Sequence, residues 1–189
     1  MITDEDWYAR DVSGCTYDGE AFVDLDWTEV TGDGAVFREC TFAGVRFNAS
    51  RYRGTAFTNC TFRRCTFFDT RFDDCKVVGS LFPQSTFTLL EVNGGDWSFV
   101  ALAGADLRKA SFTDVRMREA DLTNVRLEQA RLTGTDLSGA ALRGAKLTGA
   151  DLRGSELSSL DPLTVELTGA KIGLEQAAVI ATNLGLRVT

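Results

Sequence analysis

A chain of 189 residues with 44% hydrophobic side chains is long enough for one globular domain or one repeat array. Its 27 acidic and 20 basic side chains leave a net charge of −7, which argues against sequence-wide affinity for nucleic acid. It has no histidine, so the commonest general base and metal ligand is missing.

The N-terminus, MITDEDWYAR, is acidic and lacks the apolar core of a signal peptide. No apolar run is long enough for a membrane-spanning helix. The expected location is the cytoplasm. Residues 1–36 hold ten acids against Arg10 alone, a net of −9. They read as an acidic N-terminal cap plus a first, imperfect coil, because repeat arrays need polar, atypical ends. Residues 37–64 reverse the charge, with six arginines against Glu39, a net of +5.

A repeat dominates the rest of the chain, and it is clearest from Ala105 to Leu157. A large apolar residue returns every fifth position, from Leu107 and Phe112 to Leu152 and Leu157. A small residue sits two before each, such as Ala105, Ala110, Ala150 and Ser155. This period suits neither a helix face, about 3.6 residues, nor a strand face, about 2. The register runs without insertion from Trp7 to Ile172, and only Gly32 and Pro162 depart from it. All three tryptophans and eleven of the 13 phenylalanines fall on it. From Phe37 to Phe87 the large residue is mostly aromatic, and from Leu102 on it is mostly leucine. The join between them is looser: Pro83, Leu90, Gly95 and Phe99 sit awkwardly, and Pro83 predicts a bulge or kink because it cannot donate to a strand ladder.

Asp161-Pro162 marks the end of the array, apart from one further unit, LTGAKI. Residues 174–183 then read as a short helix, with Leu174, Ala177, Ala178, Ala181 and Leu184 at helical spacing and Gly185 as the stop. The chain thus divides into a cap at 1–36, a repeat array at 37–172, and a helix and tail at 173–189.

The five cysteines, Cys15, Cys40, Cys60, Cys65 and Cys75, all occupy the small position. They read as reduced core filler, with Cys40 over Cys60, and no metal-binding spacing is present.

In a short extended piece, residues i and i−2 share a face, so the large and small residues point inward together. Glycine, asparagine or aspartate often follows two after the large residue, as turns prefer. A chain that bends after every unit closes on itself in about four, giving a coil of about 20 residues whose successive turns pair as parallel strands. Phe42, Phe62 and Phe82 would then form one ladder, and Phe47, Phe67 and Phe87 another.

The pattern A(D/N)LXX resembles the pentapeptide-repeat family, from about residue 15 to residue 172. The unbroken coil, the central TFTLLEVNGGDW and the tail DPLTVELTGAKIGLEQAAVIATNLGL are similar to the MfpA/Qnr fluoroquinolone-resistance group within it. The resemblance implies an all-β fold, a right-handed quadrilateral parallel β-helix with a short C-terminal helix. It also implies a DNA-mimicking rod that binds DNA gyrase and forms a homodimer through its C-terminus, with Leu174, Ala177, Ala178, Ala181 and Leu184 as dimer contacts. Many Qnr members carry two protruding loops. This sequence has none, so loop-based contacts do not carry over.

Folding the outward positions onto four faces gives no uniformly acidic face. The most acidic column near the C-terminal end is Asp96, Asp136 and Glu156, broken by Arg116, with Asp151 on the neighbouring face. In a dimer joined at the C-termini these acids lie nearest the centre, where a basic DNA saddle would meet them. They are the candidate gyrase contacts. No nucleophile elbow, phosphate-cradling loop or metal cluster appears, so neither an enzyme nor a cofactor is expected. A pentapeptide-repeat scaffold with a different protein partner is the alternative, since fold does not settle function.

Overall fold

The computed structural model describes residues 1–3 and 5–189. The chain winds into a parallel β-solenoid with four faces, each built from three-residue strands or single bridges. Where rungs pair, each meets the residue 20 further on. The longest face runs Asp11, Thr31, Arg51, Arg71, Glu91, Ser111, Arg131, Asp151 and Lys171 without a break. Residues 11–36 already take part in the solenoid, with Asp11 and Thr31 on this face and Thr16, Ala21 and Asp26 pairing on the other three. The rung's middle residue points inward and is buried along most of the coil, as is the small residue two before it; toward the two ends Tyr17, Leu167 and Ile172 are only half-buried.

The inner columns stack as the spacing predicts. Phe42 lies on Phe62 at 4.8 Å and 5°, and Phe62 on Phe82 at 4.7 Å and 7°. Phe47, Phe67 and Phe87 form the second ladder at 4.9 and 5.2 Å. Trp7 stacks on Trp27 at 4.7 Å, extending the same column to the N-terminal end. Neighbouring columns meet edge to face, as Phe57 and Phe62 do at 5.6 Å and 64°. Both arrangements suit the ring quadrupole. Gly32 breaks the apolar register because the Tyr52 ring has taken its room: a Cβ there would lie 3.0 Å from Tyr52 Cδ1.

The small inward position does more than fill space. Where it is threonine or serine, its side chain mostly donates to a backbone carbonyl one coil back, Ser50 being an exception that donates to Phe47 O in its own coil. Thr70 Oγ1 donates to Phe47 O at 2.8 Å, Ser80 Oγ to Phe57 O at 2.8 Å, and Ser85 Oγ to Phe62 O at 2.7 Å. Cys40, Cys60 and Cys65 send their thiols the same way, to the carbonyls of Tyr17, Phe37 and Phe42, each at 3.4 Å. All five cysteines are free, and burial pushes the Cys65 and Cys75 thiols up to about 12. Thiols so placed are inert packing groups that also tie coil to coil.

Nearly every unit ends in a residue of positive φ, from Ala9 at 51° to Gln129 at 61°, with glycine at many of the remaining corners. An aspartate or asparagine at a corner is often followed 20 residues later by glycine. The reason is steric: a Cβ at Gly44, Gly134 or Gly144 would fall 2.1 Å from the Oδ1 of Asp24, Asp114 or Asn124.

Two expectations need correction. Pro83 produces no bulge, because Thr61, Leu81 and Ala101 keep the 20-residue step across it. Pro83 stands in the turn that follows the Leu81 bridge, so its missing N–H falls outside a strand, and its carbonyl accepts from Arg64 N at 3.0 Å. The looseness lies instead on an adjacent face, where no rung joins Thr86 to Asp106 among the described residues. Asp161-Pro162 does not end the array either. It interrupts one face after Ala141, while pairing continues at Glu166 and Lys171 on the others.

Helix α1 spans Leu174–Asn183, as the spacing predicts, and Gly185 closes it with φ 84°. It lies across the C-terminal end of the coil. The Gln176 side chain donates to the carbonyls of Leu152 and Ser155, and Asn183 Nδ2 donates to Leu160 O at 2.8 Å. Gln176 Oε1 accepts from Gly173 N at 2.7 Å, capping the helix start. These amides satisfy backbone acceptors that the last coil would otherwise leave open.

Candidate interaction surfaces

The acidic column expected from the 20-residue folding exists. Asp96, Arg116, Asp136 and Glu156 are successive rungs of one face, and Asp151 follows Arg131 on the next. Its charge, however, is largely neutralised within the chain. Arg116 Nη1 lies 3.1 Å from Asp96 Oδ2, Arg118 Nε 2.5 Å from Asp136 Oδ2, and Arg153 Nη2 2.7 Å from Asp151 Oδ2. Asp96 and Asp136 also accept from the hydroxyls of Ser98 and Ser138.

Partial burial would raise the Asp96 and Asp136 carboxyls, but the serine and arginine hydrogen bonds outweigh it and hold both below the usual range. The hydrogen bond from Arg153 brings Asp151 down to about 2. These groups stay ionised at any physiological pH, yet each presents a paired dipole rather than a free charge. Glu156 differs: it accepts from Ser158 N and has no basic partner within 4 Å among the described residues.

The sequence pattern alone did not mark the corners. Asp74 and Asp114 sit on one edge of the rod, alternating with Gly94 and Gly134. Neither has a basic side chain within 4 Å among the described residues, so they are free carboxylates on a projecting edge. The signal for them was the aspartate followed 20 residues later by glycine.

At the C-terminal end the helix presents two unlike faces. Gln176, Ile180 and Asn183 face the coil. Leu174 is 92% exposed, Leu184 is 46% exposed, Ala177 is exposed, and Ala178 and Ala181 are half-buried. Leu163, Leu186 and Val188 are also exposed. The five candidates thus form an apolar stripe turned away from the cap. The surface concavities are shallow, such as the dimple over Gly32 lined by Ser13, Thr31, Arg51 and Arg53. Among the described residues no group of three or more metal-ligating side chains comes together, and no helix is long and apolar enough to cross a membrane.

Comparison with known proteins fits this geometry. The pentapeptide-repeat family model matches residues 98–134 and 120–158, and the model of the SV2A/B/C luminal domain matches residues 12–87, the aromatic half. The pentapeptide repeat protein MfpA of Mycobacterium tuberculosis is 38% identical over 99 residues, which is 52% of this chain and 54% of MfpA. That match therefore spans about half the length of each protein. A trypsin-treated variant of QnrB1, a plasmid-mediated fluoroquinolone resistance protein, superposes on all of this chain and 95% of its own with a TM-score of 0.67, at 21% identity. Five-residue register, four-faced coil and these likenesses agree: residues 98–158 carry pentapeptide repeats, the fold is the one QnrB1 forms, and over about half its length the chain is similar to MfpA.

Proposed function

We propose that the protein binds DNA gyrase as a rod-shaped stand-in for duplex DNA, and so inhibits the enzyme, protects it from quinolones or similar poisons, or both. The observation that carries this reading is the uninterrupted solenoid, with eight 20-residue steps from Asp11 to Lys171. At about 4.8 Å per coil the rod is roughly 40 Å long. The likeness to MfpA, and the fluoroquinolone resistance conferred by QnrB1, support gyrase as the partner. The site of action is then the cytoplasm, and the role is binding rather than catalysis.

The proposed division of labour is an acidic cap at 1–36, a DNA-like shaft at 37–172 and a dimerising end at 173–189. Two rods joined tail to tail span roughly 80 Å, a length of duplex that carries about 47 negative charges. Two chains of −7 carry only −14. The mimicry is therefore one of shape, with local acidic contacts. Asp96, Asp136, Asp151 and Glu156 lie toward the joined ends, and Glu156 presents the freest charge of the four.

The dimer reading is supported by the apolar stripe that helix α1 leaves uncovered. Light scattering at micromolar concentration is expected to give the mass of two chains, and Leu174→Glu is expected to give one; a monomeric parent protein removes the tail-to-tail model. The functional test is gyrase supercoiling with and without a fluoroquinolone. Stoichiometric protein is expected to slow supercoiling, to reduce drug-stabilised cleavage, or to do both. If neither changes, the protein is an interaction scaffold with another partner.

A further inference from the structure

Thirteen phenylalanines occur in the chain, and all but Phe68 and Phe99 point into the core. Phe99 is 60% exposed, the most exposed of them. It occupies a corner with φ 59°, a conformation that strains a bulky side chain. On the same corner column the chain uses Gly79 one coil before and Gly139 two coils after. Nothing in the packing requires a ring there, since Phe99 makes its inter-coil contact through its backbone N–H to Arg118 O at 2.9 Å. Two residues on, the Ala101 rung pairs with Leu81, itself 44% exposed. Exposed Pro83 and Ala103 continue this uncharged surface.

The next coil supplies the rim. Glu119 follows Phe99 on the corner, and Asp121 pairs with Ala101 on the face. Both are exposed, and neither has a basic partner within 4 Å among the described residues. We propose that the Leu81–Phe99 edge is an anchor for a protein partner, inserting Phe99 into an apolar pocket ringed by lysine or arginine. Strained, exposed, bulky residues persist where function holds them. A large side chain that becomes fully desolvated inside a ring of water-excluding contacts is the usual form of a binding hot spot. A self-complementary contact with a second copy would set Glu119 and Asp121 against their own counterparts, whereas a basic partner complements them. The basic rim required of the partner is that of a DNA-binding protein, so this inference rests on the gyrase reading and names a contact separate from the acidic column.

Leu89 provides the control. It too is exposed, 54%, and left-handed at φ 54°, but it sits half a coil from Phe99 on the opposite edge, followed on its column by Lys109. Its neighbouring acids, Asp69 one coil before and Glu91 two residues on, are paired with Arg51 and Arg71, so no free acidic rim stands there.

The experiment measures binding to immobilised DNA gyrase holoenzyme and thermal unfolding for the parent protein, Phe99→Gly and Leu89→Gly. Phe99→Gly is expected to melt no lower than the parent, because glycine relieves the corner, and to bind at least about tenfold more weakly. Leu89→Gly is expected to bind as the parent does. Unchanged binding by Phe99→Gly, equal loss in both variants, or a lowered melting temperature for Phe99→Gly overturns the anchor. A parent protein that does not bind gyrase at all is a different failure, which removes the gyrase reading and this anchor's partner with it.

Discussion

Replacing Phe62 by alanine is expected to destabilise the rod by about 4 kcal/mol, toward the top of the range for buried aromatic truncation. The ring is 1% exposed and stacks between Phe42 and Phe82 at 4.8 and 4.7 Å. It also meets Phe47, Phe57 and Phe67 edge to face or tilted. Its loss opens a cavity that parallel strands on all four sides cannot close, since each coil is fixed to the next by its rungs. Stacking adds about 0.5–1.5 kcal/mol per aromatic pair beyond area. Thr133→Ala, next to inward-facing Leu132 but itself facing outward, is expected to cost under about 0.5 kcal/mol. Thermal unfolding of both variants checks the pair, and similar losses would contradict the inward assignment.

Gly95→Ala is expected to cost about 3 kcal/mol, although it adds a single methyl group. Gly95 holds the small inward position at φ 84°, directly after Gly94 at φ 63°. A Cβ there would fall 2.2 Å from Cys75 O and 2.7 Å from Cys75 N, both backbone atoms of the coil below. The methyl must displace a strand rather than a side chain, which adds overpacking of about 1–3 kcal/mol to left-handed strain of about 1–2 kcal/mol. Gly104→Ala is the comparison. It has φ 68° and open space around the same point, so only the strain applies, about 1 kcal/mol. Equal melting temperatures for the two variants would show that close approach plays no part at Gly95.

Much of this fold was legible because its period is arithmetic. Residues 20 apart stack, so the partners of Phe62 or Asp136 follow from their numbers alone. What was not legible was local. Pro83 misled because the rule against proline in ladders applies within strands, whereas Pro83 falls in the turn after the single Leu81 bridge. Asp161-Pro162 misled because a proline can interrupt one face while the other faces continue pairing. The acidic column was placed correctly, but its neutralisation was not foreseen. Arg153 reaches Asp151 from two residues along, and Arg118 reaches Asp136 across a coil; such side-chain directions are absent from a residue count. The free carboxylates at Asp74 and Asp114 were hidden by treating every corner as a turn.

The constant step from rung to rung sets how such a molecule can change its size. Removing fewer than 20 residues within the shaft, or adding them without looping them out, puts later side chains on the wrong face, whereas a whole coil leaves each column intact. Length is therefore quantised in increments of about 4.8 Å. A lineage of such proteins can match cavities of different depth by counting turns, without redesigning any one of them.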